Sequence, residues 1–310
     1  MPLKPLPAGG RAFAELPGHV RGAVWMLLAA LFFGLQGPIV RMAVVNLDPL
    51  MVAFVRSLFV LLLMLPWILR NRATAMRTQR LSLQFVRATM SMAGFILLVV
   101  AQAKLTLAEV SAMTFAAPLF ATIGAALFLH EIVKARRWTA TFIGLAGVWI
   151  VLRPGFEAVE PLFVLPLASA VFIAASNLMI KSLSRSDSPN AIVAWLAIFS
   201  VPLTLVPALF VWSLPDLAAL GWIFLLGLTG VGAHMSLTRS LAAADASAVL
   251  PYDYSRLVVT AGVAFVAFGE VPPIWTWIGG AVIVSAVVYI AHREAVASRA
   301  AAVQSDLLGS

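Results

Sequence analysis

The chain has 310 residues, 62% of them hydrophobic and 11% charged, with a mean hydropathy of +1.00; an average soluble domain carries roughly 25% charged residues, which excludes a soluble globular core here. Its net charge of +8 sits in short segments between apolar runs, where basic residues act as topology signals and not as a nucleic-acid footprint. No cysteine is present, so disulfides, thiolate metal sites and cysteine nucleophiles are excluded.

Ten apolar stretches follow, near 22–44, 49–69, 82–103, 108–129, 136–152, 161–181, 190–212, 217–238, 245–268 and 273–291. Each can cross roughly 30 Å of hydrocarbon as a helix. Runs such as Leu58 to Leu65 and Leu119 to Leu129 are apolar all round, as lipid-facing helices are. The expected fold class is an all-α membrane protein of ten transmembrane helices. The first stretch continues from Ala23 past Gln36, too long for a signal-peptide core.

Span 1 carries Gln36 deep in its run, on a stripe with Phe32, Ala29 and Trp25. Spans 2 and 3 carry Arg56 and Arg87, which fit structural roles by snorkelling to an interface or holding a neighbouring carbonyl. Span 4 has Pro118 in mid-run, where a proline frees a carbonyl and kinks a helix. Span 6 matches span 1 with Ser176 on a stripe with Ser169 and Phe172, next to Asn177. Ser169 suits helix packing, whereas Gln36 and Asn177 suit a cavity. Span 8 holds His234, able either to relay protons or to pack through a hydrogen bond. Span 9 starts with Pro251 and places Asp253, Arg256 and Thr260 on one helical face, with Tyr252 one turn from Arg256. Two readings stand for this face. It lines a pathway, offering Arg256 to a carboxylate and Asp253 to an ammonium, or the two charges neutralise each other and brace the helices. His130-Glu131 is not a zinc motif, because position 134 is Lys.

Fifteen of the 21 basic residues fall in the terminal segments and loops on one side and three on the other, with Arg56, Arg87 and Arg256 inside spans. The positive-inside rule then puts both termini in the cytoplasm and requires an even number of spans. A repeat is also visible. Asp48-Pro49 recurs as Ser188-Pro189 and Arg41 as Lys181 at an offset of 140; Glu131 and Trp138 recur as Glu270 and Trp277 at 139; Gly144 recurs as Gly280 at 136. Ala108-Glu109-Val110-Ser111-Ala112 recurs as Ala244-Asp245-Ala246-Ser247-Ala248, also at 136. Five helices per half is odd, so the second half enters the membrane from the opposite side, as in inverted-repeat secondary transporters.

The stretch from Ala108 to Pro154, with Pro118-Leu119-Phe120, Glu131, Trp138 and Gly144-Leu145-Ala146-Gly147-Val148, resembles the first EamA repeat of the drug/metabolite transporter superfamily. Ala246 to Arg256, continuing through Phe268-Gly269-Glu270-Val271-Pro272 to Gly279-Gly280, resembles the second. The resemblance implies residues 1–20 as a cytoplasmic tail, 21–153 and 160–292 as two EamA-like repeats, and 293–310 as a second cytoplasmic tail. It also implies an inner-membrane transporter of small metabolites, and amino-acid exporters are among its members.

The expectation is a secondary transporter moving small amphipathic solutes, amino acids first, by alternating access. Its pathway residues are Gln36, Pro118, Ser176, Asn177, His234, Tyr252, Asp253 and Arg256. Other solute classes (nucleoside, sugar, cationic drug) and a non-transport scaffold are the alternatives. The sequence offers no convergent catalytic set and no phosphate-binding glycine loop, so neither an enzyme nor an ATP-driven pump is expected. No cofactor, metal or nucleic-acid partner is expected; the partners are the solute and membrane lipid.

Overall fold

The computed structural model describes residues 13, 15–71, 76–105, 107–114, 116–130, 135–152 and 161–269, together with 274, 275, 277–279, 281, 282, 285 and 289. Among the described residues every regular element is helical. In chain order these are α1 (Gly18–Ala43), α2 (Pro49–Arg70), α3 (Leu81–Lys104), α4 (Leu107–Thr114), α5 (Ala117–Phe128) and α6 (Ala135–Leu152). They continue as α7 (Val164–Leu183), α8 (Pro189–Ala208), α9 (Leu217–Ala243), α10 (Ala246–Val249) and α11 (Arg256–Phe268). Among the described residues six helices are long and apolar enough to cross a membrane: α1, α2, α3, α7, α8 continued to Val211, and α9. They correspond to the first, second, third, sixth, seventh and eighth expected spans.

Two expected spans are built differently. The fourth is broken: α4 ends at Thr114, and α5 restarts with Ala116 as its N-cap and Pro118 in its first turn. Pro118 is therefore not the mid-helix kink expected, because a helix start leaves its first N–H groups unpaired and loses nothing to proline. The ninth span consists of the four-residue α10, a 3₁₀ segment over Leu250–Ser255 containing Pro251, and then α11. Glu131, Lys134, Glu270 and most of the tenth span lie outside the described residues.

The sequence repeat has a local structural counterpart. Asp48 caps α2 by accepting from the Leu50 N–H at 2.8 Å, with Pro49 in the first turn. Ser188, 140 residues on, caps α8 by accepting from the Ala191 N–H at 3.2 Å, with Pro189 in the same place. Packing follows the same exchange. The main partner of α1 is α9 and that of α3 is α7, while α2 packs on α8; α11 lies on α1 as α5 lies on α7.

Glycines let several of these backbones approach, as in other membrane bundles. Ser240 on α9 donates to the Gly22 carbonyl at 2.7 Å, and Ser169 on α7 donates to the Gly94 carbonyl at 2.7 Å. Ser169 is thus a packing residue. Thr260 on α11 donates to the Gly34 carbonyl at 3.0 Å, where a Cβ on Gly34 would come within 2.8 Å of Val259. Other buried hydroxyls return to their own helices: Ser57 bonds the Ala53 carbonyl and Thr204 that of Ser200. Large apolar side chains such as Phe210, Leu217 and Val266 point outward, where lipid would meet them.

One end of the bundle is tied by polar side chains. Lys181 Nζ donates to the Leu241 and Ala244 carbonyls at 3.1 and 2.6 Å, joining the end of α7 to the end of α9. Gln84 Nε2 donates to Asp187 at 2.7 Å, and Arg87 Nη1 to the Ile192 carbonyl at 3.3 Å, joining α3 to the α7–α8 region. Arg239 Nη2 donates to Asn190 Oδ1 at 3.1 Å. Holding a carbonyl was one of the two structural roles expected for Arg87.

Candidate functional site

Two adjoining cavities of about 70 and 50 Å³ lie among α1, α2, α3, α4, α7, α9 and the Leu250–Arg256 segment. They share Phe33, Gln36, Phe95, Leu98 and Arg256 as walls.

Six of the expected residues meet here. Gln36, Ser176, Asn177, His234, Asp253 and Arg256 all line the larger cavity. Gln36 and Ser176 stand 140 residues apart, the spacing that separates the two helix caps. His234 packs edge-on against Phe33 with ring centroids 5.7 Å apart.

Tyr252 does not join them. The expectation assumed an α-helix, whereas Leu250–Ser255 winds at three residues per turn. Leu250, Asp253 and Arg256 then share one face and line the cavity, while Tyr252 turns into an apolar cluster with Met26, Ala29 and Leu241. From the fourth span, the described lining residues are Val110, Ser111 and Thr114 of α4. Pro118 is not among the described lining residues; it stands in the first turn of α5.

The Asp253–Arg256 pair lies within one segment at a spacing of three residues. The groups pair, with Arg256 Nη1 3.5 Å from Asp253 Oδ2, and both still border the cavity. Several buried polar atoms around the larger cavity have no hydrogen-bond partner among the described residues: Gln36 Nε2, Arg56 Nε and Nη2, His234 Nδ1 and Asp253 Oδ1. Donors, an acceptor and two phenylalanine rings thus converge on one space, an arrangement suited to a solute with an apolar body and several polar groups.

Sequence reasoning missed part of the site. Arg56 of α2 is 2% exposed and lines the larger cavity, its guanidinium 4.0 Å from the centre of the Phe95 ring. A charge within an apolar run was the available signal, and a packing role explained it equally well. Phe95, Ser91 and Gln102 of α3 carried none, since neither aromatics nor small polar groups are unusual in membrane helices.

The model of the EamA-like transporter family matches residues 20–153 and again 161–291. A riboflavin transporter of Vibrio cholerae serotype O1 is 33% identical over 287 residues, covering 90% of this chain and 96% of its own. An S-adenosylmethionine uptake transporter of Rickettsia prowazekii is 27% identical over 282 residues, covering 90% and 95%. A solved structure superposes with a TM-score of 0.71 over 86% of this chain and 95% of its own at 17% identity, a likeness of fold alone.

Proposed function

The chain belongs to the EamA-like transporter family, and from that premise we propose that it carries riboflavin or a closely similar flat, polyhydroxylated heteroaromatic solute across a bacterial inner membrane. It is a multi-pass membrane transporter and not an enzyme. The observation that carries the substrate reading is the larger cavity. Phe33 and Phe95 line it and give a flat ring apolar, aromatic walls, and Gln36, Ser176 and Asn177 offer hydrogen bonds to hydroxyls. The Vibrio relative, a riboflavin transporter by name, supports the same class.

Amino-acid export, the sequence expectation, stands second. It required Arg256 and Asp253 to meet the two charged ends of the solute, but these groups face each other at 3.5 Å. A zwitterion would have to displace that pair.

Ten spans in two inverted five-helix repeats, with both termini cytoplasmic, complete the reading. The two successive matches of the family model, the caps at Asp48 and Ser188, and the exchange of packing partners between halves support it. Alternating access then consists of opening the polar-tied end while the other closes. The test is counterflow in proteoliposomes with a panel of riboflavin, S-adenosylmethionine and amino acids. Saturable exchange of riboflavin supports the proposal, and exchange confined to another solute overturns the substrate while leaving the family in place.

A further inference from the structure

Arg56 and Arg87 are the buried arginines among the described residues, Lys181, Arg239 and Arg256 are part-buried, and Arg56 is held differently from all of these. Arg87 holds the Ile192 carbonyl, Lys181 two carbonyls, Arg239 the Asn190 amide oxygen and Arg256 the Asp253 carboxylate. Arg56 has none of these. Among the described residues its Nε and Nη2 make no hydrogen bond, as is also true of Arg87 Nε and Nη2, but Arg56 lacks the carbonyl that holds Arg87 and lies against the Phe95 ring and Gly230. An ionisable group in hydrocarbon costs at least about 2.5–3.5 kcal/mol on insertion scales, so a cation left this way implies a partner that comes and goes.

The surroundings fix its plane. Phe95 of α3 lies under the guanidinium at 4.0 Å from the ring centre. On α9, a Cβ added at Gly230 would come within 2.6 Å of Arg56 Nη2 and 3.2 Å of Cζ. The absence of a side chain at 230 makes the slot the guanidinium occupies. Ring and glycine pre-organise a planar fork of donors at the wall of the larger cavity, close to Ser91 and His234 on the same lining. Such a fork matches two acceptor atoms set side by side, and an ammonium in its place would not.

Resting on the riboflavin-class reading above, we infer that Arg56 is the specificity-determining residue of the cavity: it reads an edge of a flat heteroaromatic ring that presents a carbonyl oxygen beside an unprotonated ring nitrogen. The ring itself lies near Phe33 and Phe95, and the polyol end faces Gln36, Ser176 and Asn177. Arg256, already paired with Asp253, borders the site without being the reader.

The experiment is riboflavin counterflow with competition by 1-deazariboflavin and 5-deazariboflavin, in which CH replaces one or the other ring nitrogen beside a carbonyl. Wild-type protein is expected to prefer riboflavin over one of the two analogues by about tenfold, the scale of one good charge-assisted contact. Arg56→Lys and Arg56→Met are expected to raise the riboflavin KM by about tenfold or more and to erase that preference, whereas a structural role would leave it intact. Gly230→Ala, which keeps the charge but crowds the fork, is expected to weaken the same preference, and it provides the measurement should the Arg56 variants not fold. Wild-type exchange of riboflavin with the preference unchanged in the variants overturns the inference alone. Wild-type exchange of no flavin overturns the substrate reading and the inference together.

Discussion

Replacing Lys181 with Met removes the two bonds from Nζ to the Leu241 and Ala244 carbonyls, at 3.1 and 2.6 Å, that close α7 over the end of α9. A hydrogen bond from a charged donor contributes about 1.5–3 kcal/mol when buried. These are part-buried, and water can reach the released carbonyls, so the pair together is worth about 1–2 kcal/mol, a factor of roughly 5–30 in the ratio of open to closed forms at that end. Because the chain contains no cysteine, a single Ser176→Cys substitution in the cavity wall is a clean reporter. Labelling by a membrane-impermeant maleimide applied from the cytoplasmic side of inside-out vesicles is expected to accelerate by roughly that factor in Lys181→Met. Lys181→Arg, which keeps donors at the position, is expected to stay near the parent rate. An unchanged rate in Lys181→Met, or an equal rise from the opposite face, would refute the assignment of this contact as a latch.

Arg256→Gln alone leaves Asp253 as a part-buried carboxylate without its 3.5 Å partner, and is expected to lower thermal stability in detergent, whereas the double variant Asp253→Asn with Arg256→Gln recovers most of the loss. Transport that also recovers in the double variant makes the pair a brace; transport that stays low makes it part of the site, the expected result given that both groups line the cavity. Fusing a fluorescent protein or alkaline phosphatase after Ser310 is expected to give fluorescence and no phosphatase activity under the proposed orientation, which rests on the basic bias. The reverse pattern would contradict the orientation.

Much of the long-helix framework was legible because its signals are one-dimensional. Apolar length alone marks α1, α2, α3, α7, α8 and α9, and Asp48-Pro49 and Ser188-Pro189 mark two helix starts. The broken spans were less legible, since proline announces an interruption without giving its geometry. At Pro118 the interruption is a restart, and at Pro251 it is a 3₁₀ segment. That difference in period brought Asp253 and Arg256 onto the cavity and turned Tyr252 away from it. Gln36, Ser176, Asn177 and His234 were readable as polar groups deep in apolar runs. Phe95 and Gly230 were not, because their contacts with Arg56 join α2, α3 and α9, which no local pattern encodes.

Riboflavin counterflow by the purified chain in proteoliposomes tests the transporter and its substrate in a single measurement. The expected result is saturable exchange of labelled riboflavin, suppressed by excess unlabelled riboflavin and unaffected by excess amino acids. Flux that fails to saturate, or the absence of riboflavin exchange alongside exchange of an amino acid, would contradict it.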